Sequence, residues 1–276
     1  MKKTLLFIAM AMVMVVGCQN KNNPSKPGGG KEDDNQNSSE ELIAIDGDFA
    51  DWDAAGDRVV TIKNVKSYEG EEISEDLQRI DALKVAKFAS DKYNLYVYCE
   101  VDKSIVYKGG VPNWAGEILD PSTAGPVDIY IDADCKTITQ GETVIYTGGI
   151  NWIWEETGWE YGFEASSAFS SEGEIESGEL FKFTGADGTD IWAVDPPAKE
   201  DITGEGIFSA FSKKEGDIVK FEIAITRAFM PKLGDKIKIG VEVMSENWML
   251  MGVLPQANGT AEGAWQGLLQ EITLYK

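Results

Sequence analysis

The 276-residue sequence contains no histidine, and this absence excludes several kinds of site at once. A Ser-His-Asp triad, a Cys-His nucleophile pair, a histidine-ligated zinc site and an axial-histidine haem all need an imidazole. Basic residues are also scarce: there are 25 Lys and Arg against 47 Asp and Glu, and the formal net charge is −22. Nucleic acid is therefore a poor partner, because its binding depends on clustered basic side chains.

The apolar run at residues 5–16 is too short to cross a bilayer, which needs roughly 20 residues. It follows a basic start and ends at Gly17-Cys18, a pattern that resembles a bacterial lipoprotein signal. We therefore expect residues 1–17 to be a signal peptide and Cys18 to carry the lipid. This implies an outer-membrane lipoprotein that faces either the periplasm or the cell surface. The alternative is an ordinary signal peptide with a chance cysteine.

The next segment, residues 19–41, has no apolar residue with which to offset the entropy of ordering. We expect residues 18–41 to form a disordered tether that holds the rest of the chain away from the membrane. Residues 42–276 are long enough to bury one substantial core, and the overall hydrophobic content of 43% is ordinary for a globular protein. The sequence therefore predicts a single domain over this range.

Strand signals dominate this domain, while helix signals are weak. Gly, Pro, Asn and Asp clusters separate the alternating segments, as expected for turns. Residues 74–80 fit either a short helix or a loop. Together these signals predict an all-β fold, an antiparallel β-sandwich of jelly-roll type with long loops. The predicted strands are 58–65, 81–88, 95–101, 127–133, 143–154, 159–165, 218–225, 236–244 and 268–275.

Five short segments resemble, in the correct order, family 9 carbohydrate-binding modules and related DOMON-like β-sandwiches. They are IDGDFADW at 45–52, DKYNLYV at 91–97, VDIYID at 127–132, KFEIAI at 220–225 and WQGLL at 265–269. The resemblance implies a β-sandwich that binds carbohydrate without hydrolysing it. Two features depart from the family: Asp128 stands where glutamate is usual, and residues 136–216 are longer than the family core.

Aromatic residues are concentrated around residues 155–158, which we interpret as a hairpin loop. The register pairs side chains on one face: Trp154 with Trp159, Trp152 with Tyr161, and Ile150 with Phe163. Flat aromatic faces pack against the C–H patches of pyranose rings, so such a ladder suits a glycan. Either the ladder is the core face of the hairpin, or Trp154 and Trp159 are exposed at the tip as a ligand platform.

The remaining tryptophans have weaker sequence signals. Trp114 lies in a Gly-rich loop, where a large aromatic has no periodic reason to be, and we predict that it contacts ligand. Trp192 is a weaker loop candidate. We expect Trp52, by its position in the family pattern, to plug the core, and we favour the core for Trp248 and Trp265.

Two cysteines remain after removal of the signal, Cys99 and Cys135. Each belongs to the apolar set of a predicted strand, so both sulfurs are expected to point toward the core. The envelope permits disulfides. The two thiols either form a disulfide or stay separate, because the sequence does not fix the Cα separation.

The abundant acidic residues identify no catalytic pair, since the carboxylate separation that a glycosidase needs cannot be taken from sequence. Asp132 and Asp134 could share a calcium ion with loop carbonyls, because calcium takes oxygen ligands. We favour instead two solvated residues at a strand end. No other cofactor is expected.

We therefore interpret the sequence as a tethered, non-catalytic lipoprotein that binds an oligo- or polysaccharide, within a polysaccharide utilisation system. The predicted ligand-binding residues are Trp154, Trp159, Trp152, Tyr161 and Trp114. One alternative is a structural or assembly lipoprotein that packs its aromatic surface against another envelope protein. A glycoside hydrolase is the third hypothesis.

Overall fold

The structure, a computed structural model, describes residues 41–64, 81–110, 116–154, 156–257 and 266–275. By its contacts the chain divides into two units, residues 1–39 and 40–276, and every described residue belongs to the second. The predicted lipidation site Cys18, the loop residue Trp114, Trp265 and the segment 74–80 lie outside the described residues. No helix within these described ranges is long and apolar enough to span a membrane.

Strands make up most of the described secondary structure. The helical elements are the α-helix α1 (Ala50–Ala54) and two 3₁₀ helices, Gly56–Arg58 and Arg227–Phe229. The strands are β1 Val60–Lys63, β2 Leu83–Ser90, β3 Asn94–Asp102, β4 Val106–Tyr107, β5 Ser122–Asp132, β6 Thr137–Gln140, β7 Thr143–Tyr146, β8 Gly149–Ile150, β9 Tyr161–Ala165, β10 Gly173–Glu174, β11 Glu179–Phe183, β12 Thr189–Asp190, β13 Lys199–Ile202, β14 Phe208–Glu215, β15 Ile218–Thr226, β16 Lys236–Ser245, β17 Leu250–Leu254 and β18 Gln270–Thr273.

Two large antiparallel sheets organise these strands. The six-stranded sheet has the order β1-β2-β3-β15-β14-β10. The main path of the eight-stranded sheet is β13-β11-β9-β5-β16-β17, with β18 paired to β16 and β4 paired to β5. Two small sheets, β6–β7 and the parallel pair β8–β12, lie outside them. The predicted all-β antiparallel sandwich is confirmed.

The main core lies between the two large sheets. Phe88, Val97 and Phe221 enter it from the six-stranded sheet, and Ile129 and Phe163 enter it from the eight-stranded sheet. The central strands β3 and β5 are buried at nearly every position, on both faces. A strand in the middle of a two-sheet sandwich normally alternates, so something must also cover the outer faces.

The N-terminal segment of the domain covers the outer face of the six-stranded sheet. Its anchor is Glu222, which is fully buried and accepts hydrogen bonds from the backbone N–H groups of Asp46 (3.1 Å) and Gly47 (2.8 Å). The indole N–H of Trp52 donates to the same carboxylate over 3.0 Å. Trp52 is 2% exposed, which confirms that it is a core plug. The Asp-Gly and Asp-Trp motifs of the N terminus therefore share one acceptor on β15.

A second apolar layer covers part of the outer face of the eight-stranded sheet. The buried residues of this layer are Tyr130, Ile153, Trp154, Trp159, Phe181, Ile191, Leu250, Val253 and Leu269. They come both from the sheet and from the connections that follow β8, β12 and β17. The long stretch after residue 136 therefore buries its own aromatic residues, and this burial offsets the conformational entropy that the stretch loses on ordering. The part of this face that it leaves open holds the candidate site.

The strand predictions were accurate where alternation was strong and wrong where it was interrupted. The predicted strand 143–154 is in fact two strands, β7 and β8, separated at Gly148, which has a φ of +84°. Eight of the described strands were not predicted: β4, β6, β10, β11, β12, β13, β14 and β17. Glycine adopts a positive φ at little cost, and a positive φ interrupts the extended backbone of a strand.

The two cysteines are separate thiols. Cys99 is buried in the main core, as predicted, but Cys135 is only half-buried and has a φ of +53° just beyond β5. Its predicted core-facing position is therefore wrong, because the strand has already ended. Burial raises the pKa of the Cys135 thiol to about 11, which keeps it protonated and unreactive near neutral pH.

Candidate functional site

The predicted aromatic ladder is not an exposed surface. Trp154 is 4% exposed, Trp159 is fully buried and Tyr161 is 2% exposed. The predicted register is also wrong: Gly149, not Trp154, lies opposite Trp159, and Trp154 bridges Gly267 instead. These three side chains therefore present no face on which a sugar ring could stack, and the exposed tip predicted for Trp154 and Trp159 is wrong.

Trp154 and Trp159 are buried because the sheet beneath them provides room and aromatic neighbours. The Trp159 ring lies 4.8 Å from the Tyr130 ring and 6.1 Å from that of Phe181, between centroids. Trp154 lies against Gly240, where an added Cβ would come within 2.3 Å of the indole. A glycine on β16 thus makes space for this tryptophan, and strand alternation cannot reveal such a contact.

Trp152 behaves differently from its neighbours: it is 64% exposed. The side chain of Asn151 explains the difference, because its Oδ1 accepts hydrogen bonds from the backbone N–H groups of Ile153 (3.1 Å) and Trp154 (3.2 Å). This Asx turn reverses the chain locally, so that residues 153 and 154 face the core while Trp152 faces outward. Of the predicted ligand-binding residues that the structure describes, Trp152 alone is exposed.

Trp192 is placed beside Trp152 by the parallel pair β8–β12. Ile150 and Asp190 are partners in this pair, and the two tryptophans each follow two residues later. The carboxylate of Asp190 accepts a hydrogen bond from the backbone N–H of Trp192 (2.8 Å), while the intervening Ile191 is fully buried. Trp192 is 46% exposed and lines the same cavity as Trp152.

Trp248 completes the set from the turn between β16 and β17. It is 47% exposed and has a φ of +60°, a left-handed conformation that a bulky residue adopts only at a cost of about 1–3 kcal/mol. Ser245 holds the turn: its carbonyl accepts the N–H of Trp248 (2.8 Å), and its hydroxyl accepts those of Asn247 and Met249 (both 3.2 Å). The core position favoured for Trp248 is therefore wrong.

The three exposed tryptophans border a cavity of about 470 Å³ on the outer face of the eight-stranded sheet. This volume is in the range of small-molecule sites, roughly 300–1,000 Å³. Polar and apolar side chains of the sheet form its floor. The lining residues are Asp128, Tyr130, Asn151, Trp152, Ile153, Glu164, Trp192, Lys199, Glu242, Met244 and Trp248.

The floor carries a row of carboxyl groups on adjacent strands. In the strand registers, Glu242 on β16 lies opposite Asp128 on β5, which lies opposite Glu164 on β9. Directly opposed side chains on one face have Cβ atoms about 4.5–5.5 Å apart, and like charges in this position destabilise a sheet. Glu242 also accepts a hydrogen bond from Asn151 Nδ2 over 3.2 Å. Asn151 thus links the Trp152 turn to the floor.

Burial and mutual repulsion change how these carboxyl groups titrate. Burial raises the pKa of Glu242 to about 8. Burial, followed by the neighbouring charges of Glu242 and Glu164, raises the pKa of Asp128 well above its usual value. Burial also raises the pKa of Glu164, although Lys199 opposes the effect. Perturbed carboxyl groups in a cavity are a recognised sign of a functional site.

This arrangement suits a ring that is apolar on its faces and hydroxylated at its edge. Exposed indoles can cover the C–H faces of such a ring. Carboxyl and amide oxygens on the floor can accept hydrogen bonds from hydroxyl groups, which satisfies both partners in a partly desolvated site. The combination of aromatic rim and polar floor therefore has the chemistry of a carbohydrate site.

A larger groove, of about 710 Å³, lies where β10, β11, β13 and β14 approach one another. Its lining is aliphatic and acidic, and Phe208 is its one aromatic residue among those described. The Phe208 ring already packs against Phe163, with centroids 5.0 Å apart. This groove therefore offers no exposed aromatic face, and we place the candidate site at the smaller cavity.

The possible calcium ligands Asp132 and Asp134 form a separate cluster with Glu160. One carboxylate oxygen from each lies within 4.8 Å of the others. Asp132 is buried, so the expectation of two solvated strand-end residues is wrong for it. The oxygen donors fit calcium. They also hold the loop without an ion: Asp132 accepts the N–H of Cys135, and Glu160 accepts that of Ala133, each over 2.7 Å.

Comparison with known proteins gives a loose structural likeness. No protein-family model matches the chain, and no significant relative is found among curated proteins. The chain is similar to a family 9 carbohydrate-binding module from Caldicellulosiruptor kristjanssonii solved in complex with cellotriose, with 15% identity, coverage of 84% of this chain and 89% of that chain, and a TM-score of 0.36.

A second structure of a family 9 module from the same organism, in complex with glucose, gives 16% identity and a TM-score of 0.29 over 68% of this chain and 75% of that chain. The family is the one that the five sequence segments resemble. Superpositions this loose transfer no residue role, so the assignment of Trp152, Trp192 and Trp248 comes from the geometry of this chain.

Proposed function

We propose that this protein binds carbohydrate, without hydrolysing it, in the cavity bordered by Trp152, Trp192 and Trp248. The observation that supports the proposal most strongly is the convergence of three exposed indoles from three different connections. A different local backbone feature directs each indole outward. It is the Asn151 Asx turn for Trp152, the Asp190 side-chain contact for Trp192 and the left-handed backbone for Trp248. Single exposed aromatic residues are common on proteins, but several that border one cavity indicate a binding site.

The cavity favours a sugar over a protein partner because of its shape and its floor. A protein-docking surface is expected to be flat, apolar and several hundred Å² in area. Here the indoles border a concave space, and the floor contains Asp128, Glu242 and Asn151. Such acceptors match hydroxyl groups better than the apolar side chains of a partner.

The position of the carboxyl groups also favours binding over hydrolysis. Glycosidases place one carboxyl group on each side of the scissile bond. Here Glu242, Asp128 and Glu164 form a single row on one sheet face, so all three approach a ligand from the same side. We further propose that lipid on Cys18 tethers this binding domain at the outer membrane, where it takes part in polysaccharide use.

Affinity electrophoresis of the mature chain carrying Cys18→Ser, run through gels that contain different soluble polysaccharides, tests the proposal. We expect retardation by at least one polysaccharide and no new reducing ends after long incubation. A triple variant, Trp152→Ala/Trp192→Ala/Trp248→Ala, should migrate freely in the same gel. Retardation of the triple variant equal to that of the parent would refute this site, and steady release of reducing ends would refute the non-catalytic role.

A further inference from the structure

The carboxyl row on the cavity floor extends one strand farther than the cavity itself. Beyond Glu164, the register continues to Glu179 on β11, so Glu242, Asp128, Glu164 and Glu179 occupy four adjacent strands in order. Directly opposed like charges weaken a sheet. Costs of this kind are usually retained where a side chain serves a ligand rather than the fold.

Asp128 lies inside this row and has no protein hydrogen-bond donor among the described residues. Its side chain lines the cavity, and the residue is only 7% exposed. Its nearest acidic neighbours across the strands are Glu242 and Glu164, which repel the Asp128 carboxylate whenever they are ionised. Carboxyl groups this buried are normally hydrogen-bonded by protein groups, whereas Asp128 faces the cavity, where a ligand can supply the donor.

The cation closest to this row does not meet that need. Lys199 is the one basic residue among the described residues that line the cavity. Its Nζ lies 3.1 Å from Glu179 and 3.6 Å from Asp201, at the β11–β13 end of the row. Two carboxylates thus already share this lysine, and the Asp128–Glu242 end of the floor remains acidic.

We propose that the cavity orders its pyranose ligands by charge, binding an amino sugar more tightly than the neutral sugar and disfavouring the uronic acid, with Asp128 as the residue that determines this order. The inference rests on the sugar-binding role proposed above. An ammonium group supplies both the donor and the positive charge that the floor lacks. A uronate would add another carboxylate beside the buried Asp128 and Glu242 and the half-buried Glu164, at a high electrostatic cost.

Four trisaccharides with the same β-1,4 linkage test the order: those of glucosamine, N-acetylglucosamine, glucose and glucuronic acid. Each is titrated calorimetrically into the mature Cys18→Ser chain at about pH 7.5, where part of the carboxyl row is ionised and part of the amine is protonated. A hydrogen bond to a charged group is worth more than a neutral one, so we expect the glucosamine trimer to bind about tenfold more tightly than the glucose trimer. The glucuronic acid trimer should bind at least about tenfold more weakly than the glucose trimer.

The acetylated trimer separates charge from shape, because it keeps a substituent at the same carbon but carries no charge. It should bind no more tightly than the glucose trimer. Asp128→Asn should reduce the preference for glucosamine to less than about threefold, and Glu164→Gln, on the less buried side of the row, should reduce it in part. Asp217→Asn is the matched control, since Asp217 is exposed in the turn before β15 and tests the general attraction of a chain with a net charge of −22.

Equal affinity for the glucosamine and glucose trimers would overturn the charge order while leaving sugar binding intact. The proposal would also be overturned if Asp217→Asn changed the preference for the glucosamine trimer as much as Asp128→Asn does. Failure of all four trimers to bind also counts against the charge order, and the polysaccharide gels then decide separately whether the proposed function stands.

Discussion

Two tryptophans that are two residues apart should respond in opposite ways to replacement by alanine. Trp154 is 4% exposed and packs against Gly240 and Gly267, whereas Trp152 is 64% exposed at the cavity rim. A buried tryptophan removes about 150–250 Å² from water, worth roughly 4–6 kcal/mol at about 25 cal/mol per Å². Because this bookkeeping is an upper bound, we expect Trp154→Ala to lower the free energy of unfolding by about 3–5 kcal/mol.

For Trp152 only about a third of the side chain is covered, so the same reasoning gives a loss below about 2 kcal/mol for Trp152→Ala. Urea unfolding of both variants and the parent, followed by circular dichroism with a common slope, measures the difference. Equal losses in the two variants would refute the orientation given to this segment. A larger loss for Trp152→Ala would show that the Asn151 turn directs the wrong tryptophan outward.

Three further predictions concern other parts of the molecule. Glu222→Gln should cost about 1–3 kcal/mol of folding free energy, because the new amide group turns a donor toward the backbone N–H groups or the Trp52 indole. Urea unfolding of this variant beside the isosteric Glu100→Gln variant measures the loss. An equal loss in both variants would contradict the role given to Glu222. Glu242, whose pKa rises in the folded state from 4.5 to about 8, should contribute stability that is complete below pH 4.5 and is lost as the pH rises toward 8, by up to about 1.4 kcal/mol per pH unit. Between pH 5 and pH 8 the free energy of unfolding should therefore fall less for Glu242→Gln than for the parent. An identical fall in both proteins would refute the pKa assigned to Glu242. Cys18→Ser should move the protein from the membrane to the soluble fraction in fractionated cells, and unchanged partitioning would argue against lipidation.

The sequence was sufficient for the fold class because turn residues separate many short strand-like segments and five segments resemble one family of β-sandwiches. Trp52 was also predicted correctly, from the position of the Asp-Trp pair in the family pattern. Its partner Glu222, 170 residues later in the chain, was not predicted. By contrast, β11 and β13 were missed because Phe181 on the outer face of β11 is buried in the second apolar layer and Lys199 of β13 lies over its ring, so neither strand follows a simple polar alternation.

The site was only partly predictable, because tertiary contacts decide which tryptophans are exposed. Trp152 and Trp154 share a strand-like pattern in the sequence. The Asx turn at Asn151, which turns Trp152 outward and Trp154 toward the core, is the one local signal that distinguishes them. Trp192 carried a similar signal in Asp190, two residues earlier. No local pattern indicates the left-handed backbone of Trp248, because a bulky residue adopts it only when the surrounding turn imposes it.

Calorimetric titration of the retained polysaccharide into the mature Cys18→Ser chain and its single variants Trp152→Ala, Trp192→Ala and Trp248→Ala tests the central claim most directly. If the three indoles form one binding site, each variant should lose about 1–3 kcal/mol of binding free energy, roughly fivefold to 150-fold in affinity, while its melting temperature stays close to that of the parent. Unchanged affinity in all three folded variants would contradict the account, because the sugar would then bind elsewhere on the molecule.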